Sequence, residues 1–366
     1  MDKNKKESLF VNDGIEKPEM INNKAIDSYK KLNRNKELPE DEFIKGILSG
    51  NRTILGKAIT LVESTLPKHH DLAQRIINSC LKHSGNSIRI GITGVPGVGK
   101  STFIEALGKY LIKQGKKIAV LAIDPSSTIS KGSILGDKTR MEELSAMQMA
   151  FIRPSPSAGS LGGVAMKTRE TIVLCEAAGY DIIFIETVGV GQSEIAVHSM
   201  VDFFLLLMLG GAGDELQGIK RGIMEMADGI IINKADADNI KQATRAQAQL
   251  SNAIHYFPPS PSDWITKVDT CSAIEEKGLD NVWETIENYV SHTKNNNYFN
   301  IRRKEQSKYW MYETINSELK SLFYDNKFIK SKLKIEEERV LKEEKTPFLA
   351  AYDMINMFFN EINKKK

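Results

Sequence analysis

The sequence predicts an α/β fold, a mostly parallel sheet with helices on both faces. Three observations predict it. Near-continuous apolar runs recur at residues 88–93, 117–123, 149–152, 180–186, 201–208 and 227–233. Stretches with helical spacing separate them. A glycine-rich turn lies between the first run and the first of those helices. Strands buried on both faces lose the in–out alternation of a half-exposed sheet and read as unbroken apolar runs. Such sheets bind ligands beyond the carboxyl ends of their strands, so useful polar residues are expected just after each run.

Residues 1–37 are polar, rich in Lys and Asn, and read as a flexible extension. Residues 38–86 read as a helical layer. Pro39 opens a short helix with Phe43, Ile44 and Ile47. Asn51 begins a second, through Val62. Asp71 to Leu81 makes a third, with Leu72, Ile76 and Cys80 on one stripe. His69, His70 and His83 lie nearby without a matching carboxylate or cysteine pattern, and read as surface residues. Residues 87–292 hold the sheet, with helices expected over 101–113, 138–147, 163–178, 238–255 and 279–289, and a turn-rich loop at Pro258-Pro-Ser-Pro261. Residues 293–366 read as a helical extension. Trp310, Ile315 and Leu319 stripe one helix; Phe348, Tyr352, Ile355 and Phe359 stripe another. These stripes are too far from the sheet to be all core. They pack either against a partner or back on the same chain.

Composition narrows the function classes. A net charge of +3 on 366 residues leaves no nucleic-acid footprint. Three cysteines without a C-x-x-C spacing suggest neither a disulfide framework nor a zinc site, and a reducing cytoplasm is expected. No apolar run is long enough to cross a bilayer. The start lacks the apolar core of a secretory signal, and Asp2, Glu7, Asp13 and Glu16 argue against a mitochondrial presequence.

The glycine-rich turn is specific. Gly94, Val95, Pro96, Gly97, Val98, Gly99, Lys100 and Ser101 read G-x-x-x-x-G-K-S, with Thr102 next. A strand precedes this phosphate-binding loop and a helix with Phe103, Leu107 and Leu111 on one face follows, the context the motif requires. Glycines let backbone N–H groups converge on phosphate oxygens, and the helix N-terminus adds its partial positive charge. Lys100 is expected to reach the β and γ phosphates, and Ser101 to ligate Mg2+.

Polar residues do cluster at the strand ends. Asp124 and Glu186 each end a strand, and a hard cation bridging phosphates takes such oxygen ligands. Asp124 either holds the metal or caps the turn at Pro125; the metal reading is favoured. Asp137 either caps the next helix or reaches the metal when its glycine-containing loop closes. Glu186-Thr-Val-Gly189 reads as a γ-phosphate sensor, Gly189 letting a backbone N–H approach the terminal phosphate. Asn233-Lys-Ala-Asp236 addresses the base. Guanine presents two neighbouring N–H donors that one carboxylate, Asp236, can accept, whereas adenine presents an acceptor at N1. Asn233 fixes the loop or meets the base edge, the Lys234 stem covers the ring, and Cys271, Ser272 and Ala273, after the stretch 265–270, finish the pocket. GTP is preferred over ATP on this reading.

At this point the chain resembles the methylmalonyl-CoA mutase-associated GTPases, the MeaB or ArgK family, of the SIMIBI class of P-loop GTPases. The residues that carry the resemblance are Gly94 to Thr102, Asp124 to Ser127, Gly132 to Met141, Glu186 to Glu194, Gly211 to Lys220 and Asn233 to Asp236. One departure is Gly210, where the family pattern has Pro. The resemblance implies that Asp124, Asp137 and Glu186 serve Mg2+ and the attacking water. It implies an extra switch loop, with Gly211, Asp214, Glu215, Gln217 and Lys220, that passes the nucleotide state to an adenosylcobalamin-dependent methylmalonyl-CoA mutase. It also implies a homodimer through the C-terminal extension. No intrinsic catalytic Gln or Arg is assigned, so slow unaided hydrolysis and partner stimulation are expected. Other classes remain open: a kinase supporting amino-acid transport, a nickel metallochaperone, or a nucleotide-binding scaffold without turnover. The metallochaperone needs a His- or Cys-rich tract, which six scattered histidines do not make.

Overall fold

A computed structural model describes residues 38–123, 141–154, 161–187, 193–211 and 221–364. Helices α1 (Glu40–Leu48), α2 (Arg52–Glu63) and α3 (Pro67–Cys80) form the N-terminal layer. Asn51 caps α2, its side chain accepting from the N–H groups of Thr53 and Ile54. Helix α3 begins one turn before the predicted Asp71. Its first residue, Pro67, occupies a position where no intrahelical N–H is needed. Phe43, Ile47, Leu55, Ile59, Val62, Ile76 and Cys80 are buried together on one face of the sheet.

The sheet has seven strands: β1 (Ile88–Gly94), β2 (Ile118–Ile123), β3 (Ala150–Arg153), β4 (Ile182–Thr187), β5 (Phe203–Leu209), β6 (Gly229–Asn233) and β7 (Lys267–Thr270). Their order is β3-β2-β4-β1-β5-β6-β7, and every pairing is parallel. Successive side chains enter opposite layers. Ile182, Phe184, Phe203 and Leu205 join the layer of α4 (Lys100–Lys113) and α10 (Leu279–Asn295), while Ile183, Ile185 and Phe204 join that of the N-terminal helices and α6 (Leu161–Ala177). β7 reads Lys267-Val-Asp-Thr270 and sits at the sheet edge, where burial is partial; it therefore lacks the apolar run that marks the other strands.

The remaining helices are α5 (Glu142–Ala146), α7 (Ser193–His198), α8 (Arg221–Met226), α9 (Ile240–Ile254), α11 (Tyr298–Tyr324), α12 (Lys327–Leu341) and α13 (Pro347–Lys364). The apolar spacing predicts nothing at α12. Lys and Glu dominate that stretch, so helix propensity and the Asn326 cap, which accepts from the Phe328 and Ile329 N–H groups, carry it.

Buried charge fastens the start of α11 to the sheet. Arg303 donates through Nε and Nη2 to the two oxygens of Asp202, at 2.7 and 2.5 Å, and to the Gly85 and Ser87 carbonyls. Arg302 meets the Asp228 carboxylate at 3.3 Å and the Tyr289 hydroxyl at 2.8 Å. The guanidinium groups of Arg303 and Arg89 and the backbone N–H of Arg89 hold the Asp202 carboxyl below its ordinary range despite complete burial. The Gln306 amide and Trp310 indole then donate to the Val201 and Ser199 carbonyls. Beyond Trp310 the helix leaves this support. Tyr312, Ile315, Leu319 and Leu322 on α11, and Phe348, Tyr352 and Phe359 on α13, are exposed. Among the described residues no helix is long and apolar enough to cross a membrane.

Candidate functional site

β1 ends at Gly94, and the chain turns there because nothing larger fits. A Cβ at Gly94 would strike the Leu207 carbonyl oxygen on β5. Gly97 and Gly99 take φ values of 82° and 92°, and α4 starts at Lys100 directly after them. A turn of this kind followed by a helix N-terminus presents N–H groups to an anion. The Lys100 ammonium folds back over the loop and donates to the Gly94 carbonyl at 2.8 Å and the Val95 carbonyl at 3.2 Å. It is buried, so its charge acts in a poorly screened place.

One residue on, the Ser101 hydroxyl donates to Glu186 Oε1 at 3.0 Å. Glu186 lies on β4, beside Ile92 of β1 and Ala122 of β2. Next along β4, the Thr187 hydroxyl meets that of Thr93 at 3.0 Å, and both residues are buried. Ser101 and Glu186 thus bring two oxygen donors together beside the phosphate loop, a donor set that fits a hard cation such as Mg2+. Among the described residues no group of three His, Cys, Asp or Glu is placed to hold a metal. Asp124, Asp137 and Gly189 lie outside the described residues, as do Asp214, Glu215, Gln217 and Lys220. Gly211 is described; it is exposed in the turn after β5. Its neighbour Gly210 lies against the first turn of α9, where a Cβ would come within 2.6 Å of the Ala243 nitrogen. Glycine at this position thus permits a close backbone approach between the two elements.

The third group of residues follows β6. Asn233 is buried; its amide donates to the Val98 carbonyl at 2.8 Å, and its Oδ1 accepts from the Ala273 N–H and the Cys271 thiol, each at 3.4 Å. Asn233 therefore fixes the loop, the first of its two expected roles. Lys234 takes φ 58° and donates from Nζ to the Gly97 carbonyl at 2.9 Å. Asp236 Oδ2 accepts from the Ser272 hydroxyl at 2.5 Å. Burial, then the Asp236 charge, pushes the Cys271 thiol up to about 12, so it stays a neutral donor. Val95 to Ser101, Asn233 to Asp236 and Cys271 to Ala273 thus form one connected surface. Cys271 and Ala273 stand beside Asn233, as expected of residues that finish the base pocket. The contact of Thr93 with Thr187 carries no sequence signal, because a strand-end Thr is usually core. An apolar cavity of about 630 Å³ opens among α11, α12 and α13, lined in part by Leu319, Phe323, Leu333 and Met354. It shares no residue with this surface.

A seven-stranded parallel sheet, a phosphate loop leading into a helix, and a guanine-type Asn-Lys-x-Asp segment define a P-loop GTPase. The family model described as methylmalonyl Co-A mutase-associated GTPase MeaB matches residues 55–327. A probable GTPase of Mycobacterium tuberculosis is 48% identical over 322 residues, 87% of this chain and 96% of that protein. The mitochondrial methylmalonic aciduria type A homolog of Mus musculus is 41% identical over 360 residues, 96% of this chain and 87% of that protein. Among solved structures, a LAO/AO transport system kinase superposes with a TM-score of 0.69 at 34% identity, covering 88% of this chain and 98% of that one. The chain belongs to the MeaB family of methylmalonyl-CoA mutase-associated GTPases.

Proposed function

We propose that this GTPase is Mg2+-dependent and acts as a chaperone for methylmalonyl-CoA mutase or a related acyl-CoA mutase, gating adenosylcobalamin loading and protecting the loaded enzyme. The observation that carries the client is the match to the mutase-associated family model over residues 55–327. Lys100 binds the β and γ phosphates, and its charge opposes the negative charge that builds on the bridging oxygen as water attacks the γ phosphorus. Ser101 and Glu186, with Asp124 and Asp137, hold the metal. Bound Mg2+ would neutralise phosphate charge and leave the γ phosphate open to attack. Gly189 senses the γ phosphate. Asn233 holds the loop, Lys234 covers the ring, Asp236 accepts the two guanine N–H groups, and Ser272 and Ala273 close the pocket. The loop with Gly211, Asp214, Glu215, Gln217 and Lys220 passes the nucleotide state to the mutase.

The exposed apolar faces of α11 and α13 support a homodimer through the C-terminal helices. The three free, buried cysteines suit the cytoplasm, where thiols stay reduced. A kinase role, as the solved LAO/AO transport system kinase is named, would need a phosphate acceptor, and nothing among the described residues of this site favours one over water. The client reading is tested by mixing the protein with its purified mutase in the presence of a non-hydrolysable GTP analogue or GDP. Co-elution that depends on the nucleotide is expected; separate elution in both states would overturn the client.

A further inference from the structure

Helix α4 holds more than phosphate. About one turn beyond the loop, Glu105 Oε1 accepts from the Glu143 and Leu144 N–H groups at 3.0 and 3.2 Å, capping α5. One turn on, the Lys109 ammonium lies 2.8 Å from Glu143 Oε2 and 3.0 Å from Glu276 Oε1. Lys109 is largely shielded, with a side chain 19% exposed. Its hydrogen bonds to Glu143 and then Glu276 hold it above its ordinary range, and the bond to Lys109 holds Glu276 below its own.

Glu276 sits at the tip of a small hairpin. Ser272 and Lys277 exchange both backbone hydrogen bonds, at 3.0 and 3.1 Å. Within the turn, Glu276 takes φ 52°, a conformation that is uncommon outside glycine and persists where its surroundings enforce it. Ser272 Oγ accepts from the Glu275 N–H at 3.1 Å. Its single proton is thereby directed to Asp236 Oδ2, 2.5 Å away. The direction of the hydroxyl, and through it the set of the Asp236 carboxylate, depends on the shape of the hairpin.

We propose that Lys109 is a positioning residue for guanine recognition: by holding Glu276, the phosphate-loop helix fixes the hairpin that aims Ser272 at Asp236. The proposal rests on the reading of Asp236 as the guanine acceptor. It makes the phosphate side and the base side of the site one mechanical unit through α4. A plain stabilising clip between surface elements would act on melting temperature alone. A positioning residue acts on guanine.

The test compares Lys109→Met, Lys109→Arg, Glu276→Gln, the Lys109→Met/Glu276→Gln double variant, Glu143→Gln and Asp236→Asn. Fluorescent GDP and ADP affinities and GDP release rates are measured for each. Lys109→Met and Glu276→Gln are expected to weaken GDP about threefold to fivefold, the size of a partly exposed ion pair, and to leave ADP unchanged. The double variant is expected to fall well short of the sum of the two singles, because both remove the Lys109–Glu276 pair, Glu276→Gln losing in addition only the more exposed Lys113 contact at 3.7 Å. Lys109→Arg keeps most of the affinity. Glu143→Gln, which removes the other partner of the same ammonium, leaves GDP affinity unchanged. Wild-type GDP affinity in both Lys109→Met and Glu276→Gln, with Asp236→Asn clearly weakened, would overturn the proposal. Wild-type affinity in Asp236→Asn would instead overturn the guanine reading beneath it. If Lys109→Met does not fold, Glu276→Gln decides alone, since its side chain is 42% exposed and carries no core packing.

Discussion

Lys100→Ala raises the dissociation constant for GTP by about 100-fold or more on the proposed reading. The ammonium is buried and held over the phosphate loop by the Gly94 and Val95 carbonyls. Removing one partner of a desolvated charge pair costs about 3 kcal/mol, because the other charge is left without it. The loss applies to GTP and GDP alike and precedes any effect on chemistry. Titration with a fluorescent GTP analogue measures it. Unchanged affinity would contradict the phosphate-loop assignment, since nothing else buried at the loop supplies a positive charge among the described residues.

Asp236→Asn lowers the preference for GTP over ATP by about 30-fold, about 2 kcal/mol for a hydrogen bond to a charged group. On the proposed reading the Asp236 carboxylate offers only acceptors to the N1 and N2 donors of guanine; Asn turns one acceptor into a donor. Ser272 already donates to Oδ2, so the carboxylate is oriented before the base arrives. The same substitution leaves the phosphate loop untouched, which separates this effect from that of Lys100. Competition between GTP and ATP for one fluorescent probe measures it, and retained selectivity would remove the base argument.

The parts of this site that lie close together in sequence were legible. The phosphate loop is a contiguous signature between a strand and a helix, and the structure has β1 and α4 in those places. Asn233 to Asp236 was legible because an apolar run ends there. The links between these stretches were not. Asn233 reaches Val98, and Lys234 reaches Gly97, across more than a hundred residues of chain. No periodicity encodes such a pairing. The same holds for Arg303 with Asp202, which joins α11 to the base of the sheet, and for Lys109 with Glu276. In the sequence each reads as an ordinary surface charge. β7 and α12 escaped for a related reason: one is a short edge strand and the other a Lys- and Glu-rich helix, so neither leaves a clear apolar pattern. The glycine at position 210 was legible as a departure but not in its consequence, which needs the position of α9.

The central claim is that GTP hydrolysis by this chain answers to a mutase. Steady-state GTP hydrolysis, measured with and without the methylmalonyl-CoA mutase of the same organism, tests it most directly. The account predicts slow turnover alone and a clear rise on adding the mutase, because no intrinsic Gln or Arg is assigned to stabilise the transition state. An unchanged rate in the presence of the mutase, with GTP binding intact, would contradict it.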